Sequence, residues 1–384
     1  MIDADDFIGR LANRGAGLLT GVPCSYLTPL INAAMDSNRL DYVNVGNEGE
    51  AIAVAAGFSI GTPGGTAVAM FQNSGLGNAV SPLTSLTWTF KIPVLVIVTH
   101  RGQPGGPPDE PQHELMGQIT TDLLNAMQIP HRTFPREADQ IDEALDEAFT
   151  TMRQTLRPYA LVMQKGSVTP RSMDQGQTSV GQKTIVRTAS MEPDESVSMD
   201  VDLVLRTIID ASPTDLRLAT TGFTGRALYA VEDMDNHFYM VGSMGCLSTF
   251  ALGLATACPH RRIVAIDGDG SVLMRTGGLA AVGGGSPPNL LHVVLDNGVH
   301  DSTGAQQSLS STVDFLKLGE AMGYASADRA DNLDAIRRAV ISDQSGPRLL
   351  VVRTRPRADR TLPRPKITPP QVCQRLQQFL SRNH

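Results

Sequence analysis

Residues 263–304 read IVAIDGDGSVLMRTGGLAAVGGGSPPNLLHVVLDNGVHDSTG, and this stretch decides the fold. The apolar, β-branched run from Ile263 to Ile266 predicts a buried strand. Gly268-Asp269-Gly270-Ser271 follows, and its glycines predict a tight turn. Met274 to Val282 predicts a helix. Leu290 to Leu295 predicts a second strand, ending at Asp296-Asn297-Gly298. Parallel strands joined by a helix connect in the right-handed sense, so their C-terminal ends are neighbours. An acid and an amide therefore meet where open α/β sheets bind ligands.

Asp269 offers a carboxylate and Asn297 a carbonyl oxygen. The backbone carbonyls of Gly298, Val299 and His300 lie just beyond. Oxygen-only donors of this kind suit Mg²⁺ or Ca²⁺ rather than zinc. Gly268 and Gly270 let the backbone approach a phosphate, with Ser271 and the next helix N-terminus beside it. A plain strand-turn-helix with an ordinary Asp turn is the alternative, because so short a motif also arises by chance. With Asn297 placed after the following strand, GDGS resembles the diphosphate-Mg²⁺ motif of thiamine diphosphate enzymes.

The 384 residues suffice for two α/β domains with full cores. A net charge of −7, with basic residues scattered, argues against nucleic acid and against a membrane surface. No apolar run reaches the length of a membrane span. The acidic opening MIDADDFIGR lacks a signal-peptide core. Cys24, Cys246, Cys258 and Cys373 show no CxxC spacing and read as reduced thiols of a cytoplasmic protein.

Strand and helix patterns alternate through the first half. Strands are predicted at 18–22, 42–45, 67–71, 93–99 and 160–163, with helices between them and a long Gly/Pro loop from Arg101 to Pro111. Loops of that length are often functional. Residues 166–198 are polar and aperiodic and predict a linker between domains 1–165 and 199–384. The alternation restarts at Val201, with strands at 216–220, 238–241 and 349–352 and an amphipathic helix in the tail. The expected fold class is α/β, two parallel sheets each with helices on both faces.

The remaining motifs extend the resemblance. GVPCSYL, NEGEAIAVAAG, QNSGLGN and QHELMG are similar to the pyrimidine-binding domain of thiamine diphosphate-dependent decarboxylases. TTGFTGR, FYMVGSMG, GDGS and DNGVHDSTG are similar to their diphosphate-binding domain, and the middle domain of the large members is missing. The chain is thus identified as a short two-domain member. The resemblance implies thiamine diphosphate and Mg²⁺ as cofactors, the ion held by Asp269, Asn297 and the Val299 carbonyl. Gly268, Asp269, Gly270 and Ser271 would face the diphosphate. Met244 would bend the cofactor, with Gly242 and Ser243 beside it and the Gly242 carbonyl accepting from the 4′-amino group.

Glu48 would face N1′ of the aminopyrimidine, its place at the helix start favouring it over Glu50. An acid on that apolar, Ala-rich helix is expected to be buried, with a raised pKa. The implied activity is decarboxylation of 3-phosphonopyruvate to phosphonoacetaldehyde and CO₂, with sulfopyruvate as the alternative substrate. A phosphate-binding α/β protein without catalysis is the alternative from another class. The implied partners are a small 2-oxo acid and a second copy of the chain, with the active site between subunits.

Substrate contacts are expected from four residues. Ser25 stands where pyruvate decarboxylases carry Asp, and a hydroxyl there avoids repelling a substrate with two anionic groups. Arg101 could take phosphonate in a bidentate fork. His113, in QHELMG, and His300 are candidate proton donors. Arg275 is a further cation, and His100, His131, His237, His260 and His292 read as structural.

Overall fold

A computed structural model describes residues 1–173, 198–357 and 361–382. The chain divides into two compact units, residues 1–181 and 182–384. Each holds a six-stranded parallel sheet. Residues 174–197, most of the expected linker, lie outside the described residues.

The first unit contains β1 (Ala16–Gly21), β2 (Asp41–Asn44), β3 (Thr66–Gln72), β4 (Leu95–Thr99), β5 (His131–Thr133) and β6 (Tyr159–Met163). They pair in the order β2-β1-β3-β4-β6-β5. Helices cover the sheet, so inner strands are buried on both faces and read as unbroken apolar runs, as in LVIVT of β4. The helix Glu48–Gly61 is buried from Gly49 to Gly61. Its small residues let it lie close to the sheet, and the Asn47 side chain caps it by accepting from the Gly49 amide at 2.8 Å.

The second unit contains β7 (Leu216–Ala219), β8 (His237–Tyr239), β9 (Ile263–Gly268), β10 (Leu290–Asp296), β11 (Val299–His300), β12 (Gln306–Gln307), β13 (Ser326–Ala330) and β14 (Arg348–Arg353). The sheet order is β13-β14-β10-β9-β7-β8, and β11 pairs antiparallel with β12 as a separate ribbon. Ile263 of β9 lies opposite Leu290 of β10 and Gly268 opposite Leu295, which brings the two strand ends together as expected.

Two local expectations need correction. GDGS is not a separate turn. Strand β9 runs to Gly268, and a helix begins at Asp269, where an acid faces the positive end of the helix dipole. The single helix expected from Met274 to Val282 is two, Asp269–Met274 and Gly277–Gly285, divided at Arg275 and Thr276. Strands β5 and β13 were not expected at all. Both are sheet edges with polar sequences, HRT and SADRA, and neither carries an apolar run.

Candidate active site

A cleft of about 190 Å³ opens at the C-terminal ends of β7, β9 and β10 in the second unit. Gly268, Asp269, Gly270, Ser271, Asn297, Val299, His300 and Met244 line it, all named from the sequence. Asp269 is 3% exposed. Burial holds its carboxyl above the usual carboxylate range, and the Ser308 hydroxyl donates to it. Among the described residues no basic side chain pairs with Asp269. A buried carboxylate without a cation is a costly arrangement that a bound metal ion would relieve.

Asn297 is oriented from both ends. Its Oδ1 accepts from the Val299 amide at 3.0 Å, and its Nδ2 donates to Asp301 at 2.8 Å. The carbonyl oxygen keeps a second lone pair. No cluster of three His, Cys, Asp or Glu side chains suited to a metal occurs among the described residues. One carboxylate with amide and backbone carbonyl oxygens remains, a set that fits Mg²⁺ or Ca²⁺.

The ring of His300 lies on Gly270. A Cβ at Gly270 would come within 2.4 Å of His300 Cε1, so the second glycine of GDG makes room for this ring. Ser271, which lines the cleft, also joins two segments. Its hydroxyl accepts the Gly245 amide at 3.1 Å and bonds Thr220 Oγ1 at 2.9 Å. It thereby ties the GDGS helix to the turn Gly242-Ser243-Met244-Gly245. In that turn Ser243 (φ 53°) and Gly245 (φ 86°) are left-handed on either side of Met244. A non-glycine residue in this region stores strain and is common at functional sites. The turn presents Met244 to the cleft, whereas Gly242 and Ser243 are not among its lining residues. The Arg275 side chain packs against Gly245.

In the first unit the carboxylate of Glu48 lies over Gly75, where a Cβ would come within 2.4 Å of its Cδ. Asn78 donates to Glu48 Oε2 at 2.8 Å. Gly75 and Asn78 of the QNSGLGN segment therefore seat this acid, an arrangement not read from the sequence. Within this unit Glu48 is half-buried rather than buried, and Glu50 is the buried one at 2% exposure.

Arg101 differs from expectation. Its fork grips Asp109, with Nε at 2.6 Å and Nη2 on the other oxygen. Asp109 also accepts from the Gly102 and Glu110 amides and the Tyr26 hydroxyl. The guanidinium sits 4.9 Å from the centroid of the Tyr26 ring. Arg101 thus binds the long loop to the turn that carries Ser25, and the Nε and Nη2 edge of its fork is taken by Asp109. Ser25 itself is exposed. His113 is buried, and its Nδ1 has no hydrogen-bond partner among the described residues. Its carbonyl crosses Gly102 so closely that a Cβ there would lie 2.1 Å from it. His100 and His131 bond backbone carbonyls, and His237 and His292 bond tyrosine hydroxyls, all as structural groups.

Models of the thiamine pyrophosphate enzyme N-terminal and C-terminal TPP binding domains match residues 3–124 and 221–352. Phosphonopyruvate decarboxylase of Streptomyces hygroscopicus is 41% identical over 99% of this chain and 94% of its own length. The chain belongs to the thiamine diphosphate-dependent decarboxylases. A second member of this family, sulfopyruvate decarboxylase of Methanosarcina acetivorans, is 24% identical over 85% of the chain and 84% of its own. The crystal structure of benzoylformate decarboxylase from Polynucleobacter necessarius superposes with a TM-score of 0.67 at 12% identity, over 93% of this chain and 99% of that one. That likeness is one of fold.

The decarboxylase cleft also contains residues that the sequence reading did not assign. Thr220 to Thr224 line it at the turn after β7, where Gly222 is left-handed (φ 86°), and Ser302, Thr354 and Arg357 line it from other segments. The TTGFTGR segment was the available signal for the first group. Ser308 and Arg357 sit in irregular segments and carry no local pattern.

Proposed function

We propose that this decarboxylase converts 3-phosphonopyruvate to phosphonoacetaldehyde and CO₂, using thiamine diphosphate and Mg²⁺. The observation that carries the substrate is the 41% identity with a phosphonopyruvate decarboxylase across almost all of both chains. The lower identity with a sulfopyruvate decarboxylase supports the same choice.

Asp269, the Asn297 carbonyl and the Val299 carbonyl hold the metal ion. Gly268 and Gly270 leave the backbone open to the diphosphate, and Ser271 fixes the neighbouring turn. Met244 and the Gly242 carbonyl orient the cofactor. Thiamine diphosphate, when bound, supplies a nucleophilic carbon and an electron sink for the carboxylate that leaves as CO₂. Glu48 holds a proton at N1′, with Asn78 fixing its carboxylate. His113 and His300 are the candidates to deliver a proton to the product carbon. Ser25 offers the substrate a hydroxyl where an acid would repel it.

The active site is completed by a second copy of the chain, in a homo-oligomer where the first unit of one subunit serves the second unit of another. A phosphonate-biosynthetic role, as in antibiotic producers, and a cytoplasmic location follow from this reading. No helix among the described residues is long and apolar enough to cross a membrane. The test is kcat/KM on phosphonopyruvate beside sulfopyruvate and pyruvate. The reading requires phosphonopyruvate to be the best of the three, and a preference for sulfopyruvate would refute it.

A further inference from the structure

We propose that Arg357, with Thr354 beside it, forms part of the diphosphate site, supplied by the segment that leaves β14. This rests on the reading that the cleft takes thiamine diphosphate. Both residues line the cleft, and neither belongs to a motif read from the sequence. The Arg357 side chain is 8% exposed. Its Nη2 donates to Asp202 at 2.6 Å, and its backbone amide donates to the Asp301 carboxylate at 3.1 Å. These contacts hold the guanidinium in place but leave Nη1 buried, with no hydrogen-bond partner among the described residues. Thr354 is 3% exposed, and its hydroxyl is likewise buried without a partner.

Two orphaned polar groups three residues apart on the wall of one cleft require an explanation, since buried polar groups are nearly always paired. An unpaired donor on a charged group is the more costly of the two. The charge distribution gives the same answer. Among the described lining residues Arg357 is the one Lys or Arg, while Asp269 and Asp301 are acids. A divalent ion on Asp269 does not balance a diphosphate as well as both acids. A guanidinium is weakly hydrated, and its planar donors match phosphate oxygens. The free Nη1 and the Thr354 hydroxyl therefore point to a phosphate oxygen as their missing acceptor.

The alternative is that Arg357 serves the fold alone, through Asp202 and Asp301. Calorimetric titration of the full-length protein separates the two roles. Thiamine diphosphate with Mg²⁺ is the first probe, and thiamine, which lacks the diphosphate, is the second. Arg357→Gln should bind thiamine diphosphate about 10- to 150-fold more weakly, the range of one lost charge-assisted bond. Its affinity for thiamine should stay within about twofold of the wild type. Arg357→Lys should recover part of the loss, and Thr354→Val should lose severalfold.

Unchanged affinity for thiamine diphosphate in Arg357→Gln overturns the proposal, as does an equal loss for both probes. A wild-type protein that binds no thiamine diphosphate refutes the cofactor reading itself, and this proposal with it. Should Arg357→Gln not fold, the structure of the wild type with thiamine diphosphate and Mg²⁺ decides. Nη1 within hydrogen-bond distance of a diphosphate oxygen supports the proposal, and Nη1 bonded only to protein or water rejects it.

Discussion

The hydroxyl of Ser271 accepts the amide of Gly245 at 3.1 Å, which ties the helix that starts at Asp269 to the turn that presents Met244. The two motifs are far apart in sequence, and the buried Ser271 side chain joins them. Ser271→Ala removes that joint and leaves the Gly245 amide and Thr220 hydroxyl without this partner. The expected cost in stability is about 1–3 kcal/mol, read as a lower melting temperature of the cofactor-free protein. Affinity for thiamine diphosphate should fall as well. Ser271→Thr, if its methyl group is accommodated, should restore both.

Gly270 and His300 should behave as a coupled pair. Gly270→Ala sets a methyl group against the His300 ring, at 2.4 Å from Cε1 before any relaxation. The ring must move, and β11 with it, which should weaken cofactor binding. Gly270→Ala combined with His300→Ala should bind better than Gly270→Ala alone. Titration of the two single variants and the double variant measures the coupling. Strictly additive losses would mean that the new methyl group meets the phosphate and not the ring.

Much of this cleft was legible in the sequence because the residues that line it sit at the ends of strands. Asp269 and Asn297 follow apolar runs whose register is fixed by burial, so their meeting could be read from order alone. The groups that complete the site could not be read that way. Ser308 reaches Asp269 from just beyond β12, in a stretch with no hydrophobic pattern, and Arg357 lies beyond the last strand. Arg101 illustrates a different limit. Its position at the end of β4 was readable, but its partner Asp109 lies in an aperiodic loop, so a structural ion pair was read as a free cation. The edge strands β5 and β13 escaped for a related reason, since an edge needs little apolar surface.

The Arg101–Asp109 pair yields a prediction in pH. The Arg101 guanidinium holds the Asp109 carboxyl well below the usual carboxylate range. A depressed folded-state pKa adds stability above the unfolded value of about 4, and that stability drains away as pH falls below it. Asp109→Asn should therefore cost about 1.5–3 kcal/mol near pH 7. Its difference from the wild type should shrink on titration to about pH 3. Denaturation followed at both pH values checks this, and a constant difference would refute the assignment.

The same pair bears on selectivity. Arg101→Ala should reduce turnover of phosphonopyruvate and pyruvate alike, because it releases the loop beside Ser25 and removes no substrate contact. Ser25→Asp should act differently, cutting kcat/KM for phosphonopyruvate roughly 10-fold or more, through charge repulsion, while harming pyruvate much less. Parallel kinetics on the two substrates measures both. A loss confined to phosphonopyruvate in Arg101→Ala would return Arg101 to the substrate site.

Decarboxylation of phosphonopyruvate through bound thiamine diphosphate is open to direct measurement. Purified protein, stripped of cofactor and given phosphonopyruvate, can be followed by ³¹P resonance for phosphonoacetaldehyde, with thiamine diphosphate and Mg²⁺ added or withheld. The account predicts stoichiometric aldehyde and CO₂ with both cofactors, none without thiamine diphosphate, and almost none in Asp269→Ala. No aldehyde from the complete mixture, or aldehyde formed equally well without thiamine diphosphate, would contradict it.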